Sequence, residues 1–154
     1  MSGTITKTMA LTKLQKYCAY RERCHSEVRT KLLEIGMRGL ELEEVIAQLI
    51  DEDFLNEERF ARSFARGKFR IKKWGRNKIL SEMKRKNISD YCIRKGLEEI
   101  EEPEYEKTLC ELLEKKWTEK KEKNLFIKRS KIAAYLIRKG YESGLVWEML
   151  KEKG

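Results

Sequence analysis

Apolar residues recur every three or four positions along this chain, in short segments that each end at a turn signal. This spacing places the apolar side chains on one face of an α-helix. Nine such segments can be counted, and they predict nine helices. The first carries Leu11, Leu14 and Cys18, and the last carries Val146, Trp147 and Leu150. A single proline and nine glycines in the whole chain also favour helices over sheets or disorder.

The residues between these segments indicate where the helices begin and end. Asn56 and Ser89 precede two segments and are good N-caps. Pro103 lies where the first turn of the longest helix is expected. The segments that should be the second, fifth and eighth helices end at Gly36, at Asn87 and at Gly140. These are the residue types that best tolerate a left-handed backbone at a helix C-terminus.

The turns also reveal an internal repeat. The stretches KLLEIGM, EMKRKNI and YLIRKGY align with Leu32, Met83 and Leu136 in register. The repeat length is about 50 residues, and we predict three-helix repeats at 8–55, 56–102 and 103–154. The expected fold is therefore all-α, with three tandem three-helix repeats forming an elongated, curved array.

Positive charge is concentrated in the middle of the chain. The net charge is +9, but residues 1–61 carry nine Lys/Arg against eleven Asp/Glu, and residues 96–154 carry thirteen of each. Residues 62–95 carry thirteen Lys/Arg against two Asp/Glu. A block of this kind attracts polyanions such as nucleic acid, or an acidic protein surface.

The cations of this block define a basic segment, residues 59–78, which is our candidate binding site. Its members are Arg59, Arg62, Arg66, Lys68, Arg70, Lys72, Lys73, Arg76 and Lys78. On a continuous helix, Arg62, Arg66, Arg70 and Lys73 would form a row on one face. A binding surface and a merely solvated face are about equally favoured. Trp74 could stack on a base, although packing between two helices is the better interpretation.

A second cationic cluster surrounds the stretch KKEKN at 120–124. It is diluted by Glu119 and Glu122, so a solubilising turn is the favoured interpretation. Its cations are Lys115, Lys116, Lys120, Lys121, Lys123, Lys128, Arg129 and Lys131.

Little in the sequence points to catalysis. The motifs of common hydrolases, metalloproteases and phosphate-binding loops are absent, and no cofactor is expected. A metal-dependent nuclease using Asp51, Asp53 and Glu57 is the sharpest enzymatic alternative, but carboxylates at helix ends explain these residues better. Cys24 and His25 are adjacent, so on a helix they point about 100° apart and do not form a nucleophile pair.

The four cysteines form no C-x-x-C pair, and the one histidine has no second histidine near it, so we expect no zinc site. The start MSGTITKTMALTK lacks the apolar core of a signal peptide, and no stretch is apolar enough to span a membrane. We therefore expect a cytoplasmic protein with reduced thiols.

Three parts of the chain resemble the RecX family. The stretch DFLNEERFARSFAR at 53–66 resembles the family signature through Leu55, Arg59, Phe60 and Ala61. A following family pattern is matched by Arg70, Gly75, Ile79, Met83, Lys86 and Ile88. Upstream, the family's first unit is resembled by Arg21, Glu22, Arg23, Glu27, Val28, Lys31, Leu32 and Gly36. The similarity covers roughly residues 10–152. Three mild departures are Cys24 for a capping serine, Asn87 for glycine and Met83 for leucine.

The resemblance implies a regulator of the RecA recombinase, related to DNA repair and the SOS response. Such a protein binds RecA, in the groove of its filament on single-stranded DNA, and limits filament growth, ATP hydrolysis and strand exchange. We expect the protein to be non-enzymatic and monomeric. Whether this protein inhibits or assists the filament stays open at this point. The alternative is a stand-alone protein that binds nucleic acid independently of sequence.

Overall fold

A computed structural model describes residues 5–153, and over that range the chain forms nine α-helices and no strand. The helices are α1 Lys7–Tyr20, α2 His25–Glu34, α3 Gly39–Asp51, α4 Glu57–Arg70, α5 Arg76–Arg85, α6 Asp90–Leu97, α7 Glu102–Glu119, α8 Leu125–Arg138 and α9 Ser143–Lys151. The prediction of an all-α helical repeat is confirmed. Residues 1–4, at the start of the amino-terminal stretch considered above, and Gly154, the last residue of the third predicted repeat, lie outside the described residues.

The predicted helix ends are confirmed at the level of the backbone. Gly36, Asn87 and Gly140 all have positive φ angles, of 96°, 59° and 113°. The side chain of Asn56 accepts a hydrogen bond from the Arg59 amide at 2.9 Å, and Ser89 Oγ accepts one from the Cys92 amide at 3.2 Å. Pro103 lies in the first turn of α7, which at 18 residues is the longest helix described.

Backbone contacts divide the chain into two compact units. The first comprises residues 1–63 and 83–96. Its core is built on the predicted apolar faces, with Leu14, Leu32 and Leu49 fully buried. Ser26 Oγ donates to the Lys86 carbonyl at 2.8 Å, so the start of α2 is joined to the turn that follows α5.

The second unit comprises residues 64–82 and 97–154. A close backbone contact joins Gly75, directly before α5, to the turn after α8. A Cβ atom added to Gly75 would lie 2.2 Å from the Gly140 carbonyl carbon, so glycine is required there. The Gly75 amide donates to the Lys139 carbonyl at 3.0 Å, and the Asn77 amide donates to the Gly140 carbonyl at 2.9 Å. We call this contact the glycine joint.

Two tyrosines pack beside the glycine joint. Tyr105 of α7 and Tyr141 are fully buried, with ring centroids 5.1 Å apart. The Tyr141 hydroxyl donates to the Lys73 carbonyl at 2.9 Å. The loop before α5 is therefore fixed to the turn after α8 from both sides.

Candidate functional site

The basic segment runs along α4, through a short loop, and into α5. Arg62, Arg66 and Arg70 lie on α4 at the predicted four-residue spacing. The predicted place of Lys73 at the end of this row is wrong, because α4 ends at Arg70 and Lys73 has a left-handed backbone with φ of 57°. The Trp74 amide donates to the Lys68 carbonyl at 3.1 Å, which turns the chain away from the helix axis.

On the amino-terminal half of α4, the arginines are paired with nearby carboxylates. Arg59 Nε lies 2.7 Å from Glu22, and its Nη1 lies 3.1 Å from Asp53. Arg62 pairs with Glu58 at 3.0 Å, one turn earlier on the same helix. Both arginines belong to the first unit.

In the second unit the arginines are paired with acids from distant parts of the sequence. Arg66 lies 2.5 Å from Glu99, and Arg70 lies 3.6 Å from Glu104. Arg76 is the most enclosed of the three, with a side chain 23% exposed. It pairs with Glu142 at 2.9 Å and with Glu102. These arginines mainly hold the unit together, so much of their charge is already neutralised.

A partly buried polar cluster surrounds Arg76. Its guanidinium carbon lies 3.8 Å from the Tyr105 ring centroid, and its amide donates to the Tyr105 hydroxyl at 3.0 Å. That hydroxyl in turn donates to Glu142 at 2.5 Å. Burial alone would raise the pKa of the Glu142 carboxyl, but hydrogen bonds from Tyr105 and Arg76 outweigh it and hold the pKa below its usual value.

The lysines of the basic segment differ from its arginines. Within residues 5–153, no carboxylate pairs with Lys68, Lys72, Lys73 or Lys78. Lys68 and Lys78 instead place their ammonium groups 5.0 Å and 4.5 Å from the ring centroid of the half-buried Trp74. Lys72 and Lys73 are exposed in the loop. The lysines therefore carry the charge that remains available to an anionic partner.

Sequence reasoning did not connect the basic segment with the third repeat. Lys78 lines a surface hollow of about 300 Å³ together with Tyr135, Arg138 and Lys139 of α8 and its C-cap. We call it the lysine hollow. In the sequence, Arg138 and Lys139 come directly before Gly140 and lie about 60 positions after Lys78. The contact between Gly140 and Lys78 at the glycine joint brings them together in the structure.

Two of the three carboxylates considered for catalysis are engaged in structural contacts, and Asp51 is exposed. Glu57 accepts a hydrogen bond from the His25 amide at 3.0 Å, and Asp53 pairs with Arg59. Within the described range, no group of three or more His, Cys, Asp or Glu side chains is placed to hold a metal ion. Cys24 is fully buried, and burial raises the pKa of its thiol, which disfavours a reactive thiolate.

Half of the second cationic cluster is engaged within the third repeat. Lys116 lies 4.2 Å from the Tyr135 ring centroid and 3.4 Å from Glu119. Lys131 pairs with Glu122 at 3.7 Å, and Lys128 lies 4.2 Å from the Trp117 ring centroid.

No helix in the described part of the chain is both long enough and apolar enough to cross a membrane.

Comparison with known proteins places these repeats in one family. The model of the second three-helix domain of RecX matches residues 56–97, and the model of the third matches residues 104–150. Regulatory protein RecX of Clostridium perfringens strain 13 is 30% identical over 122 residues, which cover 78% of this chain and 57% of that protein. Regulatory protein RecX of Prosthecochloris aestuarii is 28% identical over 99% of this chain and 97% of that protein. This chain thus spans just over half of the longer relative and nearly all of the shorter one.

Solved structures agree on the fold. The crystal structure of RecX from Lactobacillus salivarius superimposes with a TM-score of 0.82 at 23% identity, covering 95% of both chains. A second crystal structure of regulatory protein RecX gives a TM-score of 0.85 at 21% identity, covering 96% of this chain and 73% of that one. Repeats, domain matches and relatives agree: the chain belongs to the RecX family.

Proposed function

We propose that this protein is a non-enzymatic regulator of the RecA recombinase. In this proposal it binds RecA within the filament groove on single-stranded DNA and limits filament growth, ATP hydrolysis and strand exchange. The observation that carries the proposal is the pair of RecX domain matches at 56–97 and 104–150, in register with the helices. A near full-length relative named as a regulatory protein supports it.

The basic segment is proposed as part of the docking surface. The lysines without a carboxylate partner in the described residues support this role better than the paired arginines do. An arginine that is already paired with a carboxylate must give up that ion pair before it can bind an anionic group of RecA or DNA. Lys68 and Lys72 are the residues of choice for testing, since neither has a carboxylate partner within residues 5–153.

The test of the function is DNA-dependent ATP hydrolysis by RecA on single-stranded DNA, measured with substoichiometric amounts of this protein. We expect the rate to fall, and strand exchange to slow in parallel. An unchanged rate at every ratio up to equimolar would reject the proposal. Intact single-stranded DNA after incubation of the protein alone with magnesium or manganese is expected as well, and cleavage would point to the nuclease alternative.

The test of the surface is the variant Lys68→Gln/Lys72→Gln. We expect it to need a higher concentration than the wild type for half-maximal inhibition. The matched control is Lys13→Gln/Lys16→Gln, which removes the same charge from exposed positions on α1. Equal inhibition by both variants would remove these lysines from the docking surface while leaving the proposed function in place.

A further inference from the structure

The lysine hollow combines cations from two repeats that lie far apart in the sequence. Lys78 comes from the first turn of α5, whereas Arg138 and Lys139 end α8. Lys116 of α7 extends the group, since it contacts the same Tyr135 ring, at 4.2 Å, that Lys139 approaches at 5.8 Å. Two cations therefore approach the Tyr135 ring, and Lys78 and Arg138 line the hollow that this ring borders.

The hollow is nearly free of negative charge. No acidic residue lines it, and within residues 5–153 neither Lys78, Arg138 nor Lys139 has a carboxylate partner. In the described part of the chain, Lys116 is the one of these four cations that is paired with a carboxylate, with Glu119 at 3.4 Å. This contrasts with Arg66, Arg70 and Arg76 of the same unit, each of which is paired. Like charges that stay unpaired and close together repel one another, and an anion relieves that repulsion.

The glycine joint holds the hollow in a fixed geometry. A Cβ atom on Gly140 would lie 2.6 Å from Lys78 Cβ, so the two cationic elements are in direct backbone contact. The Asn77 amide hydrogen-bonded to the Gly140 carbonyl fixes their register. Lys78 and Lys139 are already close together before a ligand binds. Binding therefore costs less conformational entropy, which favours affinity.

The chemistry of the lining favours nucleic acid over an acidic protein. Lysine ammonium groups are compact point charges that suit phosphate oxygens. Two aromatic residues border the cations: Tyr135 in the hollow and Trp74, whose ring lies 4.5 Å from Lys78 Nζ. Cations interleaved with aromatic rings are typical of surfaces that hold a single strand by its backbone and its bases.

We propose that the lysine hollow binds backbone phosphates of single-stranded nucleic acid through Lys78, Arg138 and Lys139. In the cell the strand bound here would be the single-stranded DNA that RecA coats. This identification of the ligand rests on the proposed function. The test of the site needs no RecA, so the site and the proposed function can fail separately. The site also differs from the row of arginines on α4 that the sequence alone suggested.

The experiment titrates fluorescein-labelled oligothymidylate with the full chain over a range of salt concentrations. The variant Lys78→Gln/Lys139→Gln removes two proposed phosphate contacts. Each lost contact should reduce the salt slope by about 0.7 for a single strand, so we expect a slope lower by about 1.4 and, at about 0.1 M salt, affinity weaker by roughly 25-fold. Lys13→Gln/Lys16→Gln is the matched control and should bind like the wild type.

Several outcomes would overturn the site. These are an unchanged slope in the hollow variant, an equal loss in the control variant, or no measurable binding of the oligonucleotide by the wild type at low salt. Poly-L-glutamate competing as well as unlabelled oligothymidylate at equal charge would also overturn it, because the surface would then bind any polyanion. Far-ultraviolet circular dichroism and thermal unfolding of both variants verify that each is folded.

Discussion

At the scale of single residues, Gly75 and Gly67 of the second unit differ in the space available for a side chain. A methyl group at Gly75 would collide with the backbone of Gly140, which cannot move like a side chain, whereas one at Gly67 would meet no atom within 4 Å. The first is therefore required by packing. The second lies in the interior of α4, where it only weakens the helix.

We expect Gly75→Ala to lower the free energy of unfolding by about 2–3 kcal/mol, because the glycine joint would have to open. Gly67→Ala, its matched control, should raise it by up to about 1 kcal/mol. Urea unfolding followed by circular dichroism measures both. A stable Gly75→Ala variant would contradict the close approach of the two backbones.

The Tyr105 hydroxyl should link stability to pH. Because the pKa of Glu142 is depressed in the folded protein, its contribution to stability is fully present above the usual carboxyl pKa and is lost as the pH falls below that value and through the depressed pKa of the folded state. Tyr105→Phe removes one of the hydrogen bonds that depress this pKa. We expect it to cost about 1–3 kcal/mol near pH 7 and less near pH 3.

Urea unfolding at both pH values tests this expectation, with Tyr135→Phe as the control that removes a hydroxyl from a half-buried ring elsewhere in the unit. The same loss at both pH values would show that the hydroxyl does not act through the ionised Glu142, since its hydrogen bond from the Arg76 amide does not depend on pH.

At the scale of helices and turns, Asn87 has the left-handed backbone conformation that is occupied by glycine at the two equivalent positions, Gly36 and Gly140. Its φ of 59° follows the last turn of α5. Asparagine tolerates this region better than alanine does. We therefore expect Asn87→Ala to destabilise the protein by about 1 kcal/mol, and Asn87→Gly to be as stable as the wild type or slightly more stable.

Thermal unfolding provides the measurement, and Asn77→Ala on the exposed first turn of α5 is the control. If Asn77→Ala and Asn87→Ala lowered the melting temperature equally, the left-handed turn would not be the reason for asparagine at 87.

Helices and turns were largely predictable from the sequence because their determinants are local. The apolar period and the residues Gly36, Asn87 and Gly140 act within a few positions of themselves, and the structure confirms them. The place of Lys73 was not predictable from the period, since α4 ends at Arg70 and Lys73 has a left-handed backbone. The row of cations on α4 therefore stops at Arg70, where the helix ends.

The candidate site was less predictable, because its electrostatics depend on distant residues. Glu99, Glu104 and Glu142 pair with arginines 33 to 66 positions earlier, and nothing around those arginines indicates this. The near absence of acids within residues 62–95 suggested a free cationic row. Within the described residues 5–153, the arginines of the basic segment are paired with carboxylates, whereas its lysines have no carboxylate partner.

At the scale of the whole molecule, the net charge of +9 should appear as salt-dependent regulation. If docking uses the lysines of the basic segment, the amount of protein needed for half-maximal inhibition of RecA ATP hydrolysis should rise as potassium chloride is raised from about 50 mM to about 200 mM. RecA alone at each salt concentration is the baseline, and Lys68→Gln/Lys72→Gln should show a shallower dependence. Inhibition that is independent of salt would indicate apolar docking.

The glycine joint also limits how freely the repeats can be exchanged in protein design. Asn87 is acceptable in the second repeat. There the carbonyl of the preceding residue, Lys86, accepts a hydrogen bond from the Ser26 side chain and not from a backbone amide such as that of Gly75. The same asparagine at 140 would place its Cβ against Lys78 and the Gly75 backbone. An artificial array assembled from copies of the second repeat would therefore not stack at this joint unless its turn residue were changed to glycine, so these repeats are homologous without being interchangeable parts.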